Sequence, residues 1–294
     1  MTEKDVFATI GPDVLTNRNS ENKAPYHQEE ADGRLLFHVA DAARCGHTNV
    51  TIRSVDTDVV VLAISLFTQI NIPDLWIAFG TGKDFRYLPI HEIVNSLGPA
   101  KTDSLLFFHS FTGCDSVSNF HGIGKKTAWA AWTGSPDISV VFKALSSATQ
   151  IISDSQFQEI QKFTVKMYDK TCQAVFVNDA RKELFAKKGR AIDRIPPTSS
   201  ALLQHTKRAA YQAGHVWASS LDNHAQLPSP LDWGWETADT GIKPIWTDIP
   251  EASKSCQELI RCRCKKGCLI ARCKCLRAKL PCTDLCKCGG GCQK

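Results

Sequence analysis

Apolar and polar positions change period several times along the first 150 residues. VFATI (6–10) is a short β-rich run. In EEADGRLLFHVADAARCG (29–46), Leu35, Leu36, Val39, Ala42 and Ala43 recur along one helical face, and Gly46 is placed to close the C-terminal end. NVTIRSV (49–55) and DLWIAFG (74–80) predict strands, whereas PIHEIVNSLG (89–98) and DSLLFFHSFTG (103–113) predict helices. Strands alternating with helices argue for an α/β domain with a largely parallel sheet. Further on, FQEIQKFTVKMY (157–168) and DARKELFAKKG (179–189) show helical spacing. Ile195-Pro196-Pro197 interrupts it, and SSALLQHTKRAAYQAGHVWAS (199–219) resumes it. Pro228, Pro230, Pro244 and Pro250 then mark irregular chain, yet Trp217, Trp233, Trp235 and Trp246 lie in this region. Such aromatic surface packs against something: either it straps the first domain or it receives a partner protein. The chain thus reads as a core over 1–150, a helical and Pro/Trp-rich extension over 151–255, and a small domain over 256–294.

Composition is that of a globular protein, with 43% hydrophobic and 22% charged residues. No stretch approaches ~20 apolar residues, so no membrane span is expected, and residues 1–20 hold no secretory-type run. Cysteine changes the picture. Of 13 cysteines, ten fall between Cys256 and Cys292. Without a sign of an oxidising compartment, and with an odd total, such a cluster reads as metal ligands. From Cys262 the spacing is C-x-C-x3-C-x4-C-x-C-x6-C-x3-C-x-C-x3-C. In an extended segment, residues two apart point to one side, so each C-x-C pair presents two sulfurs to a common centre. Nine thiolates fit the pattern: Cys262, Cys264, Cys268, Cys273, Cys275, Cys282, Cys286, Cys288 and Cys292. Tetrahedral zinc takes four ligands, so about three ions need twelve coordination places, which six terminal and three bridging sulfurs supply. Two separate four-cysteine sites leave one thiol over. Cys256 stands outside the pattern.

The stretch CRCKKGCLIARCKCLRAKLPCTDLCKCGGGC resembles the CXC zinc domain of tesmin-like chromatin proteins. That resemblance implies about three zinc ions, DNA as partner, chromatin proteins as neighbours and a nuclear location. Many members carry two such units and place a tyrosine, which enters a DNA groove, before the second C-x-C pair. Here there is one unit, and Arg272 occupies that position. Arginine also enters a narrow minor groove, so Arg272 and the neighbouring Lys274 are candidate DNA contacts. Residues 256–294 hold ten Lys/Arg against Glu258 and Asp284, a formal +8; with the whole chain at +5, the rest carries −3. Nine thiolates with three Zn²⁺ subtract three charges, which leaves the segment at about +5. Phosphate is the natural partner for such a patch. The plainer reading is that these cations keep a small domain soluble and its thiolates ionised.

Carboxylates occupy telling places in the core. Asp56 and Asp58 follow the 49–55 strand at its carboxyl end, where open parallel sheets bind ligands. Glu30 and Asp32 sit at the start of the 29–46 helix, and Asp115 follows FTGC. Singly, each fits ordinary helix-terminus or loop chemistry. In the order E-A-D, S-x-D-x-D, G-C-D and then Gly122-Ile123-Gly124-Lys125-Lys126, they resemble the PIN-like nuclease core of the flap endonuclease (XPG) family. The resemblance covers roughly residues 5–135 and implies a PIN-like parallel sheet flanked by helices. It also implies that Glu30, Asp32, Asp56, Asp58 and Asp115 hold Mg²⁺ or Mn²⁺ for phosphodiester cleavage. Gly122, Gly124, Lys125 and Lys126 are then expected to meet a DNA phosphate at a helix N-terminus. The family's core opens with a further strand and a metal-binding aspartate. Only 28 residues precede Glu29, with one strand-like run, so that opening strand is expected to be missing. Two readings follow: a Mg²⁺-dependent nuclease-like domain joined to a zinc module, or a non-catalytic, mobile-element-derived DNA- or chromatin-binding protein that keeps the fold as scaffold. The nine histidines form no H-x3-H or H-E-x-x-H array; His109 reads as a core histidine and Cys114 as a small buried hydrophobe.

Overall fold

Burial alternates along residues 49–54 and so fixes which face of their sheet is inward. The computed structural model describes residues 7–10, 13–16, 31–147, 151–186, 190–222, 224–239, 241–247, 261–264, 268, 273–277, 282 and 286–289. The chain divides into two compact units, residues 1–247 and 248–294. In the first, β1 (Phe7–Ile10) pairs antiparallel with β2 (Asp13–Thr16). Helix α1 (Ala31–Arg44) buries Leu36, Phe37, Val39 and Ala40, and closes where Gly46, at φ +87, donates to the Ala43 carbonyl.

Strand β3 (Asn49–Ser54) buries Ile52 and exposes Thr51 and Arg53 beside it. Helix α2 (Thr57–Ile70) follows, buried along most of its length and ended by Asn71 in the left-handed region. Because α2 carries the chain back across the sheet, β4 (Asp74–Phe79) runs parallel to β3, with Ile52 opposite Ile77. The link to β5 (Arg86–Pro89) spans only residues 80–85, too short for a crossover, so β5 returns antiparallel. At the start of this turn Gly80 sits at φ +85, where a Cβ would lie 2.6 Å from the Asp84 carbonyl oxygen. The expected largely parallel sheet is therefore a mixed sheet of order β3-β4-β5 with a single parallel pair.

Helices α3 (Ile90–Leu97), α4 (Pro99–Thr102), α5 (Leu105–Phe111), α6 (Lys125–Thr133), α7 (Ile138–Ser146), α8 (Asp154–Tyr168), α9 (Val177–Ala186) and α10 (Ser199–Tyr211) complete most of the unit. Every residue of α5 is buried, and its rings lie at the centre of the core. Phe107 stacks on Phe111 at 5.4 Å, and Phe108 on Trp132 at 4.7 Å. A helix buried on all sides needs its polar atoms satisfied. The Ser146 hydroxyl meets the Phe107 N–H at 3.1 Å, and Ser110 Oγ donates to the Ala209 carbonyl at 2.9 Å.

The extension shares this core. After α10 the helix widens into a π-helical turn, Gln212–Trp217, within the segment predicted as one continuous helix. A 3₁₀ turn (Pro230–Trp233) leads to the hairpin β6 (Trp235–Ala238) and β7 (Gly241–Pro244). Trp217 and Trp233 are buried in the same core as Leu36 and Ile77, and Trp235 packs against it. Arg208 Nη1 donates to the carbonyls of Gly234 and Ile245, and its guanidinium lies near the rings of Trp235 and Trp246. The body is thus a mixed α/β fold, predominantly helical, with a three-stranded sheet and two-stranded hairpins. Among the described residues no strands close into a barrel.

Candidate functional site

The carboxylates of the body come from the ends of several elements. Asp56 is the N-cap of α2: its Oδ1 accepts the Asp58 N–H at 2.8 Å, and its own N–H donates to Ser54 Oγ at 3.0 Å. This is the capping role that an aspartate before an apolar helix ordinarily fills. Asp58, in the first turn, directs Oδ1 at His109 Nε2 at 2.8 Å. His109 is buried on α5, with Trp217 of the extension 5.8 Å away. With a carboxylate oxygen as acceptor, the donor in this pair is the His109 Nε2–H. Sequence reading had His109 as a core residue; its partnership with Asp58, 51 positions away, carries no local signal.

Asp115 is exposed on the rim of an open cleft of about 520 Å³, lined also by Thr112, Cys114, Asn119 and Lys125. Burial raises the pKa of Cys114, and the nearby Asp58 charge adds to the rise. Burial lowers that of Lys125, against the charges of Cys114 and Asp58. Lys125 Nζ donates to the His109 carbonyl at 2.9 Å, Thr112 Oγ1 at 3.1 Å and the Gly113 carbonyl at 2.6 Å. Its three donors therefore close the C-terminal end of α5, a position that favours a cation. Lys126 is exposed, Gly122 has φ +72, and Gly124 caps α6. Gly113 has no alternative: a Cβ there would meet the Asn119 Cβ at 2.7 Å.

Asp32 lies in the first turn of α1, and Glu30 lies outside the described residues. Among the described residues, the groups of three or more potential ligand atoms within 4.8 Å of one another consist of cysteine alone. Asp56 and Asp58 stand together at the carboxyl end of β3, with Oδ1 of the first engaged in a helix cap and Oδ1 of the second at an imidazole. Among the described residues, no three carboxylates converge as a Mg²⁺ or Mn²⁺ site would need.

In the second unit the picture reverses. Cys262, Cys282, Cys286 and Cys288 form one group of four close sulfurs, and Cys262, Cys268, Cys273 and Cys282 form another. Cys264 packs against the cluster of buried cysteines. Sulfur separations are 3.7 Å for Cys262–Cys268 and Cys262–Cys288, 4.0 Å for Cys262–Cys282 and 3.5 Å for Cys275–Cys286. A disulfide needs about 2.05 Å, whereas a Zn–S bond of about 2.3 Å sets the tetrahedral edge at about 3.8 Å. The cysteines are free thiols at zinc-tetrahedron spacing. They can bind zinc, and because the two groups share Cys262 and Cys282, neighbouring centres would have to bridge.

Backbone geometry supports this arrangement. The Cys262 N–H donates to Cys286 Sγ and the Leu276 N–H to Cys273 Sγ. The Leu276 bond, with others, draws the Cys273 thiol down to about 7. Burial and the crowding of neighbouring sulfurs push Cys275 up to about 11 and Cys282 higher still. A divalent cation reverses that repulsion, since it holds coordinating thiols as thiolates. Lys274 is exposed at the start of a single helical turn, Lys274–Arg277, between the buried Cys273 and Cys275. Arg272, Cys256 and Cys292 lie outside the described residues. Comparison with protein-family models, with curated proteins and with solved structures gives no match.

Proposed function

We propose that this is a DNA-binding protein whose C-terminal unit holds a cluster of about three zinc ions through nine thiolates, Cys262 to Cys292. The body, in this reading, keeps the PIN-like fold of a metal-dependent nuclease as a scaffold and does not cleave. The observation that carries the zinc reading is the 3.5–4.0 Å spacing of the sulfurs, with Cys262 and Cys282 common to two groups. The basic residues around them, Lys274 and Arg277 exposed among them, supply the charge that phosphate requires. A nuclear location and chromatin partners follow from that reading.

Metal analysis with native mass spectrometry tests it: about three zinc ions per chain are expected, and duplex binding should fall steeply with salt and vanish on chelation. Disulfides without metal would end the reading. One observation favours a catalytic alternative. Asp56 and Asp58 sit at the carboxyl end of the parallel pair β3–β4, the edge at which such sheets bind ligands. Cleavage of flapped or single-stranded DNA with Mg²⁺ or Mn²⁺, abolished by Asp56→Asn, would establish that alternative. Asparagine caps a helix as well as aspartate does, so the substitution removes the charge without unfolding α2.

A further inference from the structure

One face of the sheet carries the buried Ile52, Leu75 and Ile77; the other carries exposed side chains on its outer strands β3 and β5. On β3 the exposed positions are Asn49, Thr51 and Arg53, opposite in phase to the buried Ile52. Register places Thr51, Trp76 and Pro89 in one row and Arg53, Ala78 and Tyr87 in the next, so these side chains share a face. Phe85, two residues before Tyr87, continues it.

Large apolar side chains at such positions call for a reason. Phe85 is 40% exposed and Tyr87 59%, and their rings meet edge to face at 5.2 Å. Arg53 Nη1 is anchored on the Ala78 carbonyl at 2.7 Å, which holds its guanidinium 5.0 Å from the centre of the Phe85 ring. Lys83, in the turn before the pair, is exposed, with Asp84 the one acid of the turn; Arg86 points to the other face and lies over the Phe79 ring. Among the described residues no carboxylate forms an ion pair with Arg53, Lys83 or Arg86.

We propose that this face, built on Arg53, Phe85 and Tyr87 with Lys83 in the adjoining turn, binds single-stranded nucleic acid. Exposed rings accept unstacked bases by their π-faces, and neighbouring cations follow the phosphates. Duplex bases are stacked on each other and cannot reach the rings, so a single strand is the matching partner. The surface lies wholly within the first unit, far in sequence from the cysteines, and does not depend on the zinc reading.

The test uses the zinc-loaded full chain, wild type and Phe85→Ala/Tyr87→Ala, titrated with labelled oligothymidylate, oligouridylate and a DNA duplex. The double variant is expected to lose about tenfold or more in affinity for single strands, with duplex affinity and zinc content unchanged. Tyr87→Phe should retain wild-type affinity, and the two oligonucleotides tell DNA from RNA. Photo-crosslinking of bromouracil oligonucleotides to the wild-type chain should place adducts on Phe85 or Tyr87, without recourse to any variant. Adducts confined to residues 256–294, or undiminished binding by a folded double variant, overturn the proposal. A change in sedimentation with binding intact would make the face a contact between copies and overturn it equally.

Discussion

His205, on α10, is enclosed by aromatic rings: Phe111 and Phe120 lie edge-on at 5.2 and 4.8 Å, and its Nε2 meets the Phe111 carbonyl at 2.8 Å. Burial lowers its pKa from 6.5 to about 4. The unfolded chain therefore takes up a proton near pH 6.5 that the folded body refuses. Stability is complete above pH 6.5 and declines as the pH falls toward 4, by about 3 kcal/mol from this group. All seven tryptophans precede residue 248, so urea titrations followed by their emission report the body alone. His205→Gln should flatten the dependence between pH 7 and 4.5; an unchanged slope would assign it elsewhere. Lys125 and Lys126 make a second contrast. Lys125→Met leaves three acceptors at the end of α5 without their cation and should lower stability by about 1–3 kcal/mol. Lys126→Met, beside it but with none of those three acceptors, should change little in the same thermal melt. The sequence reading gave both lysines to phosphate, because nothing local shows that Lys125 turns back on Gly113.

Helices and strands tell a similar story at larger grain. Those with a clean amphipathic or alternating pattern were legible: α1, β3, β4, α3, α8 and α10 fall where their spacing places them. Helix α2 was not read, since TDVVVLAISLFTQI buries most of its residues and a near-continuous apolar run carries no period. Strand β5 was hidden for a different reason. Its partner lies across a six-residue turn, and Arg86 and Tyr87, on opposite faces, are both exposed, so the strand shows no apolar alternation. At the sites, the spacing of the cysteines pointed to a cluster, and six of them, Cys262, Cys268, Cys273, Cys282, Cys286 and Cys288, come together in two groups of four. The carboxylate order was legible too, but not the partners that claim Asp56 and Asp58. For α5 the energetic expectation is direct: Phe111→Ala removes a fully buried ring and should cost about 3–5 kcal/mol in chemical denaturation. A loss under 1 kcal/mol would mean that the core recloses around the gap.

Across the whole molecule, two compact units predict two transitions. Substituting Co²⁺ for zinc gives a thiolate-to-metal absorption band that follows the cysteine unit, while tryptophan emission follows the body. The two melting curves are expected not to coincide, and a chelator should erase the first and leave the second. Cys282→Ser, which removes a sulfur common to both four-cysteine groups, should lower the bound metal by more than one ion. Loss of a single ion would show independent sites.

The wholly interior position of α5 also governs how the chain is made. Ser110 must wait for the carbonyl of Ala209, 99 residues downstream, before its hydroxyl is satisfied. At typical elongation speeds of 5–20 residues per second, that stretch occupies the ribosome for about 5–20 s. Throughout that interval Phe107, Phe108 and Phe111 emerge without the helix that seals them, a window in which a holding chaperone has something to hold. A nascent chain arrested near residue 150 should stay open to protease, and one extended past the π-helical turn at Gln212–Trp217 should become resistant. The protein thus commits to its fold late in synthesis, when α10 arrives.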